Sequence, residues 1–203
     1  MESLTGATLA SRYRVGQRIG AGGMSVVYDG VDVVVGRPIA IKVLRDGSAL
    51  ARFEREARLL AQLAHPNIVV MSDFRNGPDE PPFIVMERLA GETLGALLNR
   101  GGPLDARRTT AIAIQILDAL EAAHAGGMVH RDIKPDNVFL CHLGGEPFVK
   151  LLDFGIARPL EGATLAALTQ AGGLLGTVSF MAPEQVLALP IEPRTDLYAL
   201  GAT

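Results

Sequence analysis

Near residue 90 the hydrophobic rhythm of the chain changes, and this change limits the folds open to it. Before it, apolar residues come in short β-branched runs punctuated by glycine. Tyr13–Gly20, Val26–Val35 and Pro38–Leu44 have this strand-like character, with Gly36-Arg37-Pro38 as the turn between the last two. One helix interrupts them: in Ala49–Ala64, Phe53, Ala57, Leu60 and Ala64 fall on one face. His65-Pro66-Asn67 ends that helix, because proline disfavours helical geometry in the residue before it. Ile68–Phe74 and Phe83–Leu89 follow as further strands across the turn-like Asn76–Pro82. Beyond Gly91 the period is helical. Thr93–Asn99 predicts a short helix and Arg107–Ala125 a long one, striped by Ile112, Ile116, Leu120 and Ala123, with Gly126-Gly127 suited to its end. Val138–Cys141 and Phe148–Leu151 read as short strands, Glu161–Gly176 as a loop, and Thr195 onward as another helix. Strands first and helices second predict an α+β fold, with a β-rich part over 12–89, a mainly helical part over 90–203 and a short hinge between them.

The 203 residues are 48% hydrophobic and 20% charged, which excludes a disordered chain. Nineteen basic residues against 22 acidic ones leave a net charge of −3, with no electrostatic case for nucleic acid or a membrane surface. Cys141 is the single cysteine, so no internal disulfide forms. The start carries no basic-then-apolar leader pattern, and the longest apolar stretch, Ala111–Ala125, is broken by Gln115, Asp118, Glu121 and His124. These features predict a cytoplasmic chain with no membrane segment of its own.

Gly20-Ala21-Gly22-Gly23-Met24-Ser25-Val26-Val27 lies between two strand runs. A strand, not a helix, follows the glycines, which excludes the dinucleotide-binding arrangement. Two readings stay open: a plain hairpin turn, or a glycine-rich flap whose bare backbone can approach phosphates. Lys42 sits in the apolar strand Ala40-Ile41-Lys42-Val43-Leu44 and shares a face with Ala40 and Leu44. It either faces water or, on an inner face, needs a counter-charge. Glu56, beside the apolar stripe of the first helix, is the candidate; Arg52, Glu54, Arg55 and Arg58 read as solvated.

Val129-His130-Arg131-Asp132-Ile133-Lys134-Pro135-Asp136-Asn137-Val138 packs more charge between two apolar runs than a structural loop needs. Asp132 can accept a proton from an attacking hydroxyl, Asn137 offers an amide oxygen to Mg²⁺, and Lys134 is a point charge for a phosphate. Asp153-Phe154-Gly155, after an apolar strand, supplies a second carboxylate suited to Mg²⁺. Met181-Ala182-Pro183-Glu184 closes the segment that follows.

Taken in order, these motifs resemble those of protein kinases. Gly20-x-Gly22-x-x-Ser25-x-Val27 resembles the glycine-rich loop, Lys42 the strand lysine and Glu56 its helix partner. His130-Arg131-Asp132 with Asn137 resembles the catalytic loop, while Asp153-Phe154-Gly155 and Ala182-Pro183-Glu184 bracket an activation segment. Lys134-Pro135 is similar to the serine/threonine branch; Gly-Gly-Met in the loop and Ala182-Pro183-Glu184-Gln185 are similar to its bacterial members.

The resemblance implies a bilobal fold, with an antiparallel sheet and one helix in the N-lobe and a mainly α, incomplete C-lobe. It implies ATP and Mg²⁺ as cofactors, bound between the lobes, and protein substrates with Ser or Thr acceptors. Phosphates would lie under Gly20, Gly22, Gly23 and Ser25 and be held by Lys42. Ile19, Val27, Ala40 and Phe139 would sandwich the adenine, with Met86 as gatekeeper and Glu87 to Leu89 as hinge. Asn137 and Asp153 would hold the metal, Asp132 would be the base, and Thr177 would touch both Asp132 and Lys134. Leu60, Met71, His130 and Phe154 would form the regulatory spine. Arg131 implies control by phosphorylation, with Thr169 and Thr164 as candidate sites and autophosphorylation as the route. Relatives often form a homodimer through the N-lobe.

Three departures stand out. Ser25 replaces the third glycine of the loop, and Ala171 stands where bacterial relatives often carry a threonine. The chain also stops at Thr203, inside a run, Asp196-Leu197-Tyr198-Ala199-Leu200-Gly201, that resembles the start of the central C-lobe helix, where Asp196 supports the catalytic-loop backbone. The expectation is a truncated kinase domain in which Glu184 lacks its arginine partner and the long helix keeps an uncovered apolar face. Two rival readings follow from the same residues: an ATP-binding but inactive module, and a small-molecule phosphotransferase of similar fold. Lys134-Pro135, Thr177 and Ala182-Pro183-Glu184 argue against the latter.

Overall fold

The computed structural model describes residues 3–45, 47–142, 147–154 and 178–203. The chain divides into two compact units, one formed by residues 1–62 and 69–89, the other by 63–68 and 90–203. The fold is α+β.

The first unit is a six-stranded antiparallel sheet with one helix. Strands β1 (Thr8–Leu9), β2 (Tyr13–Ala21), β3 (Ser25–Asp32), β4 (Arg37–Leu44), β5 (Met71–Arg75) and β6 (Phe83–Glu87) lie in the order β1-β2-β3-β4-β6-β5. Leu9, Tyr13, Val15, Val26, Tyr28, Ile39, Ile41, Val43, Phe83 and Val85 form the core on one side. Helix α1 (Leu50–Leu60) follows a 3₁₀ turn over Gly47–Ala49 and buries Phe53, Glu56, Ala57 and Leu60. Strand β4 is buried on both faces from Ile39 to Leu44, because its odd residues enter that core while Lys42, on the even face, reaches α1.

Strand β3 stops at Asp32, short of Val35, and β4 begins at Arg37, inside the expected turn. The cause is Asp32. Its carboxylate accepts the Val34 N–H (3.1 Å) and three bonds from two Arg12 nitrogens, Nε and Nη2 (2.7–3.1 Å), and its carbonyl accepts the Gly36 N–H (2.8 Å). Gly36, at φ +68°, completes the turn, leaving Val34 and Val35 exposed. Helix α1 is shorter than Ala49–Ala64. It closes through Ala61 N–H to Ala57 and Gln62 N–H to Leu59, and His65 Nδ1 then accepts the Asn67 N–H (3.2 Å). Ile68 is not part of β5: it bridges Leu151 in the second unit.

The second unit carries strands β7 (Gly91–Thr93), β8 (Val138–Cys141) and β9 (Phe148–Leu151), paired in that order, and helices α2 (Leu94–Gly101), α3 (Ala106–Ala125), α4 (Pro183–Val186) and α5 (Pro193–Gly201). Thr93 ends β7 and caps α2, its hydroxyl accepting the Ala96 N–H (3.1 Å). Asp105 does the same for α3 through the Arg108 N–H (2.8 Å). The expected stripe of α3, together with Ala119, is buried. Strands β1 and β7 and helix α4 have too few residues for a periodic signal and were not legible beforehand. Ile114 and Leu117 of α3 and Leu197 and Tyr198 of α5 are exposed, and Leu117, Leu120, His124 and Leu197 line a groove of about 460 Å³. Among the described residues no helix is long and apolar enough to cross a membrane.

Candidate active site

In the first unit the sheet register gathers the expected nucleotide-binding residues. Gly20 pairs with Val27, Val27 with Lys42, and Ala40 with Met86. Directly opposed residues share a face, so Val27, Ala40, Lys42 and Met86 lie on one side of the sheet. Ile19 is exposed, Ser25 is buried at the head of β3, and Leu89 is half-buried. Glu87 is tied to Val70: its N–H donates to the Val70 carbonyl (3.0 Å) and its carboxylate accepts the Val70 N–H (2.8 Å).

The glycines of the loop have no internal reason to be glycine. A Cβ on Gly22 or Gly23 would meet nothing within 4 Å, one on Gly20 only Val27 at 3.8 Å, and none of the three has a positive φ. A bare backbone that the protein itself does not require suits an external ligand that must come close to it. Beside it, Lys42 Nζ lies 2.6 Å from Glu56 Oε1, with side-chain exposures of 6% and 2%. This pair answers the question left by the strand pattern: the lysine is inside, with its counter-charge.

The second unit holds the acid–base and metal candidates around the 3₁₀ turn Pro135–Asn137. Asn137 Nδ2 donates to both the carbonyl (2.8 Å) and Oδ2 (2.9 Å) of Asp132. Lys134 Nζ lies 3.1 Å from the same Oδ2. With both amide hydrogens engaged, Asn137 has only its oxygen to offer a cation. Among the described residues no three His, Cys, Asp or Glu side chains cluster as a metal cage. Phe139, on β8, is half-buried.

His130 organises the stretch around these groups. It is fully buried. Its Nδ1 accepts the Asp132 N–H (3.3 Å), its Nε2 faces the Leu152 carbonyl (2.9 Å), and its ring packs on Phe154 at 4.5 Å. Nδ1 as acceptor and Nε2 as donor describe a neutral imidazole. Burial pushes its pKa below the usual 6.5, outweighing the raising effect of nearby Asp196. Leu152 also donates its N–H to the Asn137 carbonyl (2.9 Å). The residues on either side of Asp153 are thus held, and Asp153 itself sits at φ +42°. A left-handed backbone at a non-glycine residue persists only where the surroundings impose it.

Arg131, beside Asp132, is another such residue, at φ +68°. Buried Asp196 accepts the N–H groups of His130 (2.8 Å) and Arg131 (2.8 Å), and His124 Nε2 lies 2.8 Å from the same carboxylate. Asp196 therefore stands where the sequence resemblance placed it. In the sequence, by contrast, His124 and Gln115 are no more than polar breaks in the apolar stretch of α3. Gln115 accepts from Asn67 (3.1 Å) and the Val149 N–H (2.9 Å) and donates to the Pro147 carbonyl (3.0 Å), tying α3 to β9. The signal was available: a polar residue inside an apolar stripe needs a partner. Among the described residues Glu184 is engaged by a hydroxyl: it accepts a 2.6 Å bond from Thr195 Oγ1, which also holds its carboxyl below the usual range. Of the regulatory-spine residues, His130 and Phe154 touch within this unit, and Leu60 and Met71 belong to the first. Gly155, Thr164, Thr169, Ala171 and Thr177 lie outside the described residues.

Residues 13–203 match the protein kinase domain. The chain is 41% identical to serine/threonine-protein kinase pkn3 of Myxococcus xanthus, over 98% of this chain and 38% of that protein. It is 45% identical to serine/threonine-protein kinase Pkn1 of the same organism, over 93% of this chain and 27% of the other. With serine/threonine-protein kinase PknA of Mycobacterium tuberculosis it shares 40% identity, over 99% and 47%. The chain thus spans less than half the length of each of these relatives. The motif order, the buried Lys42–Glu56 pair, the gripped loop around Asp132 and these matches lead to one assignment: the chain belongs to the protein kinase family.

Proposed function

We propose that the chain transfers the γ-phosphate of ATP to Ser and Thr hydroxyls of proteins, itself included. The observation that carries this reading is the Asp132 carboxylate fixed between Asn137 Nδ2 and Lys134 Nζ. MgATP supplies the phosphoryl group, and the protein contributes positioning and charge. Asp132 orients the acceptor hydroxyl and takes its proton. Lys134, as a point charge, steadies the phosphate oxygens. Asn137 and Asp153 hold Mg²⁺ through oxygen. Lys42, kept in place by Glu56, steadies the other phosphates under the bare backbone of Gly20, Gly22 and Gly23. Ile19, Val27, Ala40, Met86 and Phe139 receive the adenine, with Glu87 and Leu89 on its polar edge. Thr177 favours a hydroxyl acceptor, and Thr169, ahead of Thr164, is the candidate site of autophosphorylation. The matched relatives' names and the Lys134-Pro135 pair support the serine/threonine choice. A cytoplasmic site of action and a homodimer through the first unit belong to the same reading and rest on the family resemblance.

The test is the intact mass of the purified chain before and after MgATP, with Asp132→Asn alongside. A gain of phosphate in the wild type alone supports the reading. An equal gain in Asp132→Asn removes Asp132 from its role. Thermal stabilisation by MgATP with no product from any protein acceptor replaces the reading with that of an inactive nucleotide-binding module. Phosphate transfer to an aminoglycoside or sugar in preference to protein replaces it with a small-molecule phosphotransferase.

A further inference from the structure

The peptide unit that joins Arg131 to Asp132 is held at both ends by side chains. Its N–H, from Asp132, points to His130 Nδ1 at 3.3 Å. Its carbonyl oxygen, from Arg131, accepts a 2.8 Å bond from Nε2 of Gln185. Gln185 is 3% exposed and lies on α4. Its other side-chain atom is engaged as well: Oε1 accepts the Ala182 N–H at 3.1 Å, the backbone group that opens α4. One amide therefore links the start of α4 to the peptide that carries Asp132. That peptide follows a strained residue, Arg131 at φ +68°. Strained backbone relaxes unless its surroundings over-determine it. Asp196 restrains the N–H side of Arg131, and Gln185 restrains the carbonyl side.

We propose that Gln185 is a positioning residue for phosphoryl transfer, setting the direction of Asp132 by gripping the Arg131 carbonyl and linking it to the Ala182-Pro183-Glu184 run. The proposal rests on the kinase reading above. Only a side chain with both a donor and an acceptor at this length serves. Glutamate keeps the acceptor for Ala182 but sets a carboxylate oxygen against the Arg131 carbonyl. Leucine leaves both backbone groups buried without a partner.

The experiment compares wild type with Gln185→Glu, Gln185→Leu and Asp132→Asn. Three quantities are read: kcat and KM for MgATP on a peptide acceptor, thermal unfolding, and hydrogen–deuterium exchange of the segment 128–138. A reacting group displaced by a fraction of an ångström loses on the order of ten- to a hundredfold in rate. The expected result is a drop of that size in kcat for Gln185→Glu, with KM for MgATP within about twofold of wild type because nucleotide contacts are untouched. Exchange at 128–138 rises in both Gln185 variants while other segments stay as they were. Unchanged kcat in Gln185→Glu overturns the proposal, and so does unchanged exchange at 128–138. If the wild type transfers no phosphate, the kinase reading fails first, and the exchange comparison alone decides whether Gln185 holds the loop.

Discussion

Lys42 Nζ and Glu56 Oε1 meet at 2.6 Å with almost no solvent around either side chain. Removing one member of a buried pair leaves an uncompensated charge and costs about 3–5 kcal/mol, whereas replacing both by apolar groups is often neutral. Lys42→Met is therefore expected to destabilise by that order, and Lys42→Met with Glu56→Leu to recover most of the loss. Neither protein should transfer phosphate, because the lysine is gone from both. Urea unfolding of Lys42→Met, Glu56→Leu, the double variant and the wild type checks this. A double variant whose loss equals the sum of the two single losses would show that the pair is not coupled.

Asn137 has two tasks in the proposed mechanism, holding Asp132 through Nδ2 and offering its oxygen to Mg²⁺. Asn137→Asp separates them. The substitution keeps an oxygen ligand and sets a second carboxylate beside Asp132, where like charges repel. Activity is expected to fall by on the order of a hundredfold, as when a positioned polar group is lost. Saturating Mg²⁺ should not restore it. Asn137→Ala, which loses both tasks, should in addition need more Mg²⁺ for half-maximal rate. Full rescue of Asn137→Asp by Mg²⁺ would assign the residue to the metal alone.

His130 makes stability depend on pH in a defined direction. Burial lowers its pKa from 6.5 in the folded state, so between that lowered value and 6.5 the unfolded chain binds more protons. Stability therefore rises with pH through this window and is fully present above about 6.5. The melting temperature is expected to fall as pH drops from about 7 to about 5. His130→Gln should melt lower at pH 7, through loss of the contacts to Asp132, Leu152 and Phe154, and should show a shallower slope. An identical slope in the variant would mean that other groups carry the dependence.

Motifs made of consecutive residues were legible in the sequence, and long-range partners were less so. Asp132, Lys134 and Asn137 are close in the chain, so a turn alone brings them together, and their spacing already implied a shared task. Lys42 and Glu56 were legible for another reason: a lysine in an apolar strand and a glutamate beside an apolar stripe both call for a counter-charge. In the sequence Gln185 carries no signal beyond its place after Ala182-Pro183-Glu184. Nothing local shows that its amide reaches a carbonyl 54 residues earlier. Asp32 likewise looked like one residue of a strand, although its bonds to Arg12 and Val34 end that strand. Backbone accounts of this kind need tertiary partners, which the hydrophobic period does not encode.

The glycines separate by the reason each is glycine, and alanine substitution reads that reason out. At Gly91 the backbone has φ +149°, and a Cβ would lie 2.0 Å from the Leu140 carbonyl oxygen across the β7–β8 pairing. Neither the torsion nor the contact can be relieved without moving β7, so Gly91→Ala is expected to destabilise by about 1–3 kcal/mol. Gly22 and Gly23 have open space and ordinary torsions. Gly22→Ala and Gly23→Ala should leave unfolding within about 0.5 kcal/mol of wild type, or slightly stabilise through a less flexible unfolded chain. Their effect should instead fall on the nucleotide, as a higher KM for MgATP and a smaller thermal shift on adding it. Thermal unfolding with and without MgATP measures both quantities in one series. If the two loop variants bind MgATP as the wild type does, the hairpin-turn reading of Gly20–Val27 stands and the phosphate role is withdrawn.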